Sequence, residues 1–161
     1  MSGGTWLILL GFFHGVWYAA VDLYDHEAQE ITILGTMIDS AAANNMASTT
    51  RQVTNFGNLA GVKAVNIAAH SHIIEFGLLS ILLSFIQPFV FLSDKWKGRM
   101  VKMLLGGSVI LPGFVLLELK WGLVAGGIAD LGGLLVVIGL VGMVVGVRRY
   151  SGSLDVAETS R

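Results

Sequence analysis

The sequence predicts an all-α fold, an integral membrane four-helix bundle with an amphipathic helix in its outer loop, and three observations carry that expectation. Of 161 residues, 54% are hydrophobic and only 13% are charged, a balance too apolar for a soluble domain of this size. The apolar residues gather in runs of about twenty or more, the length needed at about 1.5 Å per residue to cross about 30 Å of hydrocarbon. Short basic clusters, Lys95-Trp96-Lys97-Gly98-Arg99 and Arg148-Arg149, stand beside two of those runs, as the positive-inside bias places them in cytoplasmic segments.

Taken in order, the first span covers residues 5–24, with Trp6, Trp17, Tyr18 and Tyr24 near its ends as interfacial anchors. It lacks a basic leader and a small-residue cleavage site, so it reads as a retained span and not a signal peptide. The outer loop, 25–58, is too polar to span, because Asp39, Asn44, Asn45, Arg51 and Asn55 interrupt it. Within it Ile31, Leu34, Ile38 and Ala41 follow helical spacing, which predicts an amphipathic helix lying on the membrane surface. Ser48-Thr49-Thr50 and Asn55-Phe56-Gly57-Asn58 read as turn or capping chemistry, with Asn58 as N-cap of the next helix.

The second span, 59–92, is longer than a bilayer requires and is expected to tilt or project, with Pro88 marking its exit. The third, 100–119, carries Pro112-Gly113, and the fourth, 122–147, ends at the arginine pair. Residues 1–150 thus form one four-span domain, and the polar tail 151–161 is expected to be disordered. Four spans place both termini on the cytoplasmic side of the plasma membrane.

With no cysteine, disulfides, thiolate ligands and iron–sulfur clusters are excluded, so any metal must be held by His, carboxylate, Met or Tyr. The net charge of −1 and the placement of the basic residues beside apolar runs argue against a nucleic-acid partner. Besides the lipid bilayer, the expected partners follow from the glycine stripe of the fourth span. Gly132, Gly139, Gly142 and Gly146 present a small-residue face suited to a homodimer or to docking in a larger membrane complex.

The stretch Ala68-Ala69-His70-Ser71-His72-Ile73-Ile74-Glu75-Phe76-Gly77 puts two imidazoles and a carboxyl into an apolar run. Ionisable groups at such depth are costly and usually have partners or a task. Counting inward from 22 and 66 at about 1.5 Å per residue, His14 lies about 12 Å deep, His72 about 9 Å, Glu75 about 13 Å and His70 about 6 Å. His26 sits just outside the first span, and the inner half of the bundle reads as apolar throughout.

Residues two apart on a helix point about 200° from each other, so His70 and His72 serve separate partners and do not chelate one ion. His14 and His72, matched in depth, are expected to ligate a b-type haem between spans one and two, where Gly11, Gly15 and Gly77 leave room for the ring. His70 then pairs with His26 or holds a second haem. Two axial histidines make an electron carrier with a redox partner, whereas one histidine and an open face make a ligand-binding or catalytic site, and the residues support either. Two alternatives stand beside this. One is a non-haem iron, copper or zinc site in which His72 and Glu75, one turn apart, combine with His14. The other is a structural accessory subunit whose histidines bond across helices. Nucleotide and hydrolase signatures such as GxxxxGK[ST], GxSxG and HExxH do not occur.

Ala69-His70-Ser71-His72, followed by Gly77, an apolar helix and Gly98-Arg99, resembles the tenth helix of the catalytic subunit of haem–copper oxidases, whose motif is His–aromatic–His and then glycine. The resemblance implies that His70 ligates a high-spin haem and His72 a low-spin haem. Position 71 is serine where that family has an aromatic residue, and the chain has neither the family's many spans nor its copper-site histidine pair, so oxygen reduction is not implied.

Overall fold

The structure, a computed structural model, describes residues 2–149, which are helical apart from three short connections. Helix α1 (Ser2–Tyr18) runs through a π-helical turn (Ala19–Leu23) into α2 (Tyr24–Ala42), so that one continuous rod covers 41 residues. Helix α3 (Met46–Ile86) runs back beside it and ends in a 3-10 turn, Gln87–Phe89, at Pro88. Helices α4 (Asp94–Trp121) and α5 (Leu123–Arg148) form a second antiparallel pair that turns over at Gly122, in a positive-φ conformation (φ 55°) that glycine adopts without strain. Four helices are long and apolar enough to cross a membrane, and the chain is an all-α helical bundle. The tail 151–161 lies outside the described residues.

The outer segment departs from the expectation. The residues read as turns and caps, Ser48-Thr49-Thr50 and Asn55-Phe56-Gly57-Asn58, lie inside α3, and the helix starts a dozen residues earlier than expected. The N-cap is Asn45, not Asn58: the Asn45 side chain accepts from the Ser48 amide at 3.1 Å. Residues 25–58 are therefore a helical hairpin, α2 against the start of α3, turning at Ala43–Asn45 with Asn44 at φ 54°. The 41 residues of α3 reach about 61 Å, about twice the hydrocarbon thickness, so this pair continues beyond a bilayer as a stalk.

Register fixes where the stalk leaves. Gly3 lies against Leu105, and Gly4 against Gly77 and Ile81. Counting up from these contacts at about 1.5 Å per residue, the Trp121–Gly122 turn comes level with the π-helical turn of the first rod and with Lys63–Asn66 of α3. Polar side chains begin at that level: Asp22, Asp25, Glu27, Glu30 and Lys63.

Glycine governs the packing. In α5, Ala125, Ala129, Gly132, Val136, Gly139, Met143 and Gly146 are buried at alternating spacings of four and three residues, the seam of a left-handed helix pair. A Cβ on Gly132 would meet the Leu111 amide at 2.7 Å, and one on Gly139 the Met100 carbonyl at 3.1 Å. The glycine face expected to serve a homodimer or docking partner is thus covered by α4 of the same chain. At its base Val90, 2% exposed, packs under Gly146, and the Phe91 amide donates to the Gly146 carbonyl at 3.0 Å. This bond satisfies one of the carbonyls that a helix end leaves unpaired.

Across the molecule α1 packs on α3, α3 on α4, and α4 on α5, with only a slight meeting of α1 and α4. The bundle is consequently open between its first and last spans. The large side chains outside these seams, among them Trp6, Phe13, Leu131 and Val141, face outward, as a helix surrounded by lipid requires.

Candidate functional site

The four histidines separate into an inner pair, a boundary histidine and an outward-facing one. His70 projects from α3 across the seam to α1, where its Nδ1 donates to the Gly11 carbonyl at 2.9 Å. That bond holds the proton on Nδ1 and leaves the Nε2 lone pair free, the arrangement by which proteins orient ligating imidazoles. Gly15 makes the seat: a Cβ there would fall against the ring at Nδ1, Cε1 and Nε2.

His14 is the second imidazole. Its position belongs to the stripe Gly4, Leu7, Gly11, His14, Tyr18, which turns toward α3 at spacings of three and four. The centroids of His14 and His70 are 6.3 Å apart with ring planes at 28°. His14 Nδ1 is buried and has no hydrogen-bond partner.

Matched depth predicts that His72 meets His14, and in the structure it does not. It stacks on Phe76 with centroids 5.8 Å apart, and its Nδ1 lies 3.7 Å from a Glu75 oxygen. Their side chains are 39% and 67% exposed, so both look outward from α3. Among the described residues no three His or carboxylate groups converge as a metal site, so the His14, His72 and Glu75 set is not assembled. Gly11 and Gly77, expected to make room for a ring, bring the backbones of α1 and α3 together: a Cβ on Gly4 would lie 2.6 Å from the Gly77 carbonyl, and one on Gly11 the same distance from Ile74 Cγ1.

His26 does not reach His70 either. It shares a hydrogen bond of 3.3 Å with the hydroxyl of Tyr18, whose ring is 8% exposed. The π-helical turn between these two residues inserts an extra residue into the rod, and such turns recur at functional positions. Beside it Lys63 is bound to Glu30 at 2.6 Å and lies 3.9 Å from Glu27, which accounts for its charge without an external anion. A cavity of about 310 Å³ opens between α1 and α3 at this level, lined by Tyr18, Asn66 and His70 with Phe12, Val16 and Ile67.

Depth pairs His14 with His72, but the structure sets His14 against His70: the roughly 200° between His70 and His72 separates the two imidazoles without saying which of them faces α1. On α3 and the 3-10 turn that follows it, the positions with the same alternation are Lys63, Asn66, His70, Ile73, Gly77, Ser80, Ser84 and Gln87. His70 falls on that stripe and His72 falls off it, a signal available from spacing alone. The stripe also corrects the expectation of an inner half that is apolar throughout, since Ser80, Ser84 and Gln87 line a second cavity there. Comparison with protein-family models, with curated proteins and with solved structures finds no match to this chain.

Proposed function

We propose that the chain is a membrane b-type haem protein in which His70, with His14 beside it, supplies the iron ligand in the outer half of the bundle. The observation that carries this reading is the imidazole pair. The rings of His14 and His70 lie together in the α1–α3 seam, with centroids 6.3 Å apart and planes at 28°, the one place among the described residues where two imidazoles meet. The donor set agrees: one ring is tethered through Nδ1 with its Nε2 free, the other has a buried nitrogen lacking any partner, and Gly15 keeps the edge of the first ring clear.

A macrocycle has no place deeper in the α1–α3 seam, where backbones touch at Gly4 and Gly77. Its room lies outward, in the cavity beside Tyr18 that His70 lines and His14 does not, so His70 would be the ligand facing the ring and His14 its neighbour in the seam. Haem bound there would supply one-electron chemistry, and this chain's residues would orient the ring, exclude water with Phe12, Val16 and Ile67, and offer Tyr18 as a hydrogen-bond donor. By the positive-inside bias the basic clusters face the cytoplasm and the stalk faces outward, in the plasma membrane.

The test is the absorption spectrum of protein purified in detergent from haem-replete cells. A Soret band lost in His70→Gln and altered in His14→Gln, but kept in His72→Gln, supports the reading. An absent band, or one indifferent to His70→Gln, rejects it.

A second reading is favoured by the His72–Glu75 pair, exposed on α3 at membrane depth. Ionisable groups seldom face lipid directly, so this face suits an accessory subunit whose neighbour covers it. Loss of a co-purifying membrane protein in Glu75→Leu, with the Soret band absent throughout, would select this reading over the first.

A further inference from the structure

The polar stripe of α3 is interrupted only in its middle. At its outer end Asn66 and His70 border the cavity of about 310 Å³. Its inner end holds Ser80, Ser84 and Gln87, which border a separate cavity of about 140 Å³ between α1, α3, α4 and α5. Between the two stand Ile73 and Gly77, where α3 meets Gly4 and Gly11 of α1 at backbone contact.

The inner cavity has unmet polar demand. Ser80 is 9% exposed, and its Oγ is buried without a hydrogen-bond partner. The Ser84 hydroxyl donates to the Ile81 carbonyl at 2.6 Å and keeps its lone pairs for another donor. The Gln87 side chain reaches the Met143 sulfur through its nitrogen, at 4.0 Å, and keeps its side-chain amide oxygen for another donor. Hydrocarbon filling this space would leave the Ser80 hydroxyl without a partner and the Gln87 amide with only a sulfur, and a buried hydroxyl without a partner is expensive. Gly3 and Gly4 have no side chains with which to close it. A water molecule needs two to four polar partners and about 30 Å³, so the cavity has room for about four.

We infer that this cavity is a water-filled vestibule, opening at the end of the bundle that carries the basic clusters and bringing water and hydrated protons about 10 Å into the bilayer along Gln87, Ser84 and Ser80. With the outer cavity it forms an hourglass whose waist is the contact of Gly4 with Gly77. The two polar ends approach each other without joining.

The chain has no cysteine, so single cysteines report without background. Ser80→Cys, Ser84→Cys, Asn66→Cys, Ile73→Cys and Leu78→Cys are reconstituted in oriented vesicles and treated with a charged, membrane-impermeant methanethiosulfonate from either side. Leu78, 51% exposed, is the lipid-facing control. A thiol reacts as its hydrated thiolate, so Ser80→Cys and Ser84→Cys should label on the order of tenfold or more faster than Leu78→Cys, and only from the basic end. Asn66→Cys should label from the opposite end only, and Ile73→Cys from neither. The vestibule is overturned if both serine variants, with melting curves like the parent chain, label no faster than Leu78→Cys in vesicles yet react fully once unfolded. Labelling of Ser80→Cys from both sides overturns the waist.

Discussion

Gly106 and Gly107 are neighbours on α4, yet alanine should act on them with opposite sign. A Cβ at Gly106 meets nothing within 4 Å, whereas one at Gly107 falls against the Gly132 carbonyl and lies 2.8 Å from Val136 Cγ2 and 3.0 Å from the Val136 amide. Both substitutions gain the same helix-propensity increment, about 0.8–1.0 kcal/mol, so propensity cancels in the comparison. Gly107→Ala additionally overpacks the α4–α5 seam at about 1–3 kcal/mol. Most of the crowded atoms belong to backbone, so no rotamer change can relieve them; the helices must move apart. Lipid supplies no hydrophobic drive to hold them, and close packing is the main attraction that would be lost. Gly106→Ala should therefore be neutral or stabilising by up to about 1 kcal/mol, and the two variants should differ by about 1–3 kcal/mol, a factor of roughly 5–150 in the folding equilibrium constant. Titration of the detergent-purified variants with sodium dodecyl sulfate, followed by far-ultraviolet circular dichroism and by tryptophan fluorescence, measures the difference. Equal destabilisation by the two would refute the assignment of Gly107 to the seam and Gly106 to the lipid face.

At the stalk tip, Asn45→Ala removes the acceptor for the Ser48 amide and should cost about 0.5–2 kcal/mol, read as faster amide exchange over residues 46–50 with the spans unaffected. Lys63→Met leaves Glu27 and Glu30 without their shared cation; stability should fall, and its dependence on ionic strength should change, whereas an unchanged salt profile would show the pair to be idle. Gly15→Ala should push the His70 ring off the Gly11 carbonyl, because the new methyl takes the ring's place. Nitrogen-15 spectra of the histidine rings report it as loss of the hydrogen-bonded Nδ1 signal, and an unaltered spectrum contradicts the seat described for His70.

The spans were legible because a long apolar helix has one satisfactory solvent, and length and composition suffice to mark it. The outer segment was harder to read. Polar residues that interrupt a membrane span do not interrupt a helix, and between Met46 and Asn58 only Gly57 weakens one. Ser, Thr and Asn favour caps when nothing else acts on them, but here Thr49 and Thr54 bond back to the carbonyls of Asn45 and Thr50, so that the expected turn at 48–50 is helix instead. The glycines of the fourth span were recognised as a contact surface, whereas the identity of the contacting helix depends on topology that spacing does not carry. For the histidines, depth along a helix follows from counting, while azimuth needs the phase of the contact stripe. That phase was present in Gly4, Leu7, Gly11 and Tyr18, all buried in the structure.

The same phase explains why the imidazole and the glycines occur together. A helix with polar groups on one face is poorly suited to lipid unless that face is covered, and α3 carries Asn66, His70, Ser80 and Ser84 on one side. A neighbouring helix with large apolar side chains would cover the face without satisfying it. By placing glycine at positions 4, 11 and 15, α1 brings its own backbone within reach, and the Gly11 carbonyl becomes an acceptor for His70. Ser80 is the position where this solution fails, since its hydroxyl meets no such acceptor. Replacing Gly11 by a larger residue should therefore do more than crowd a seam: it separates a half-buried imidazole from the carbonyl that fixes its proton. The loss should exceed that at Gly132, where a comparable clash disturbs packing alone.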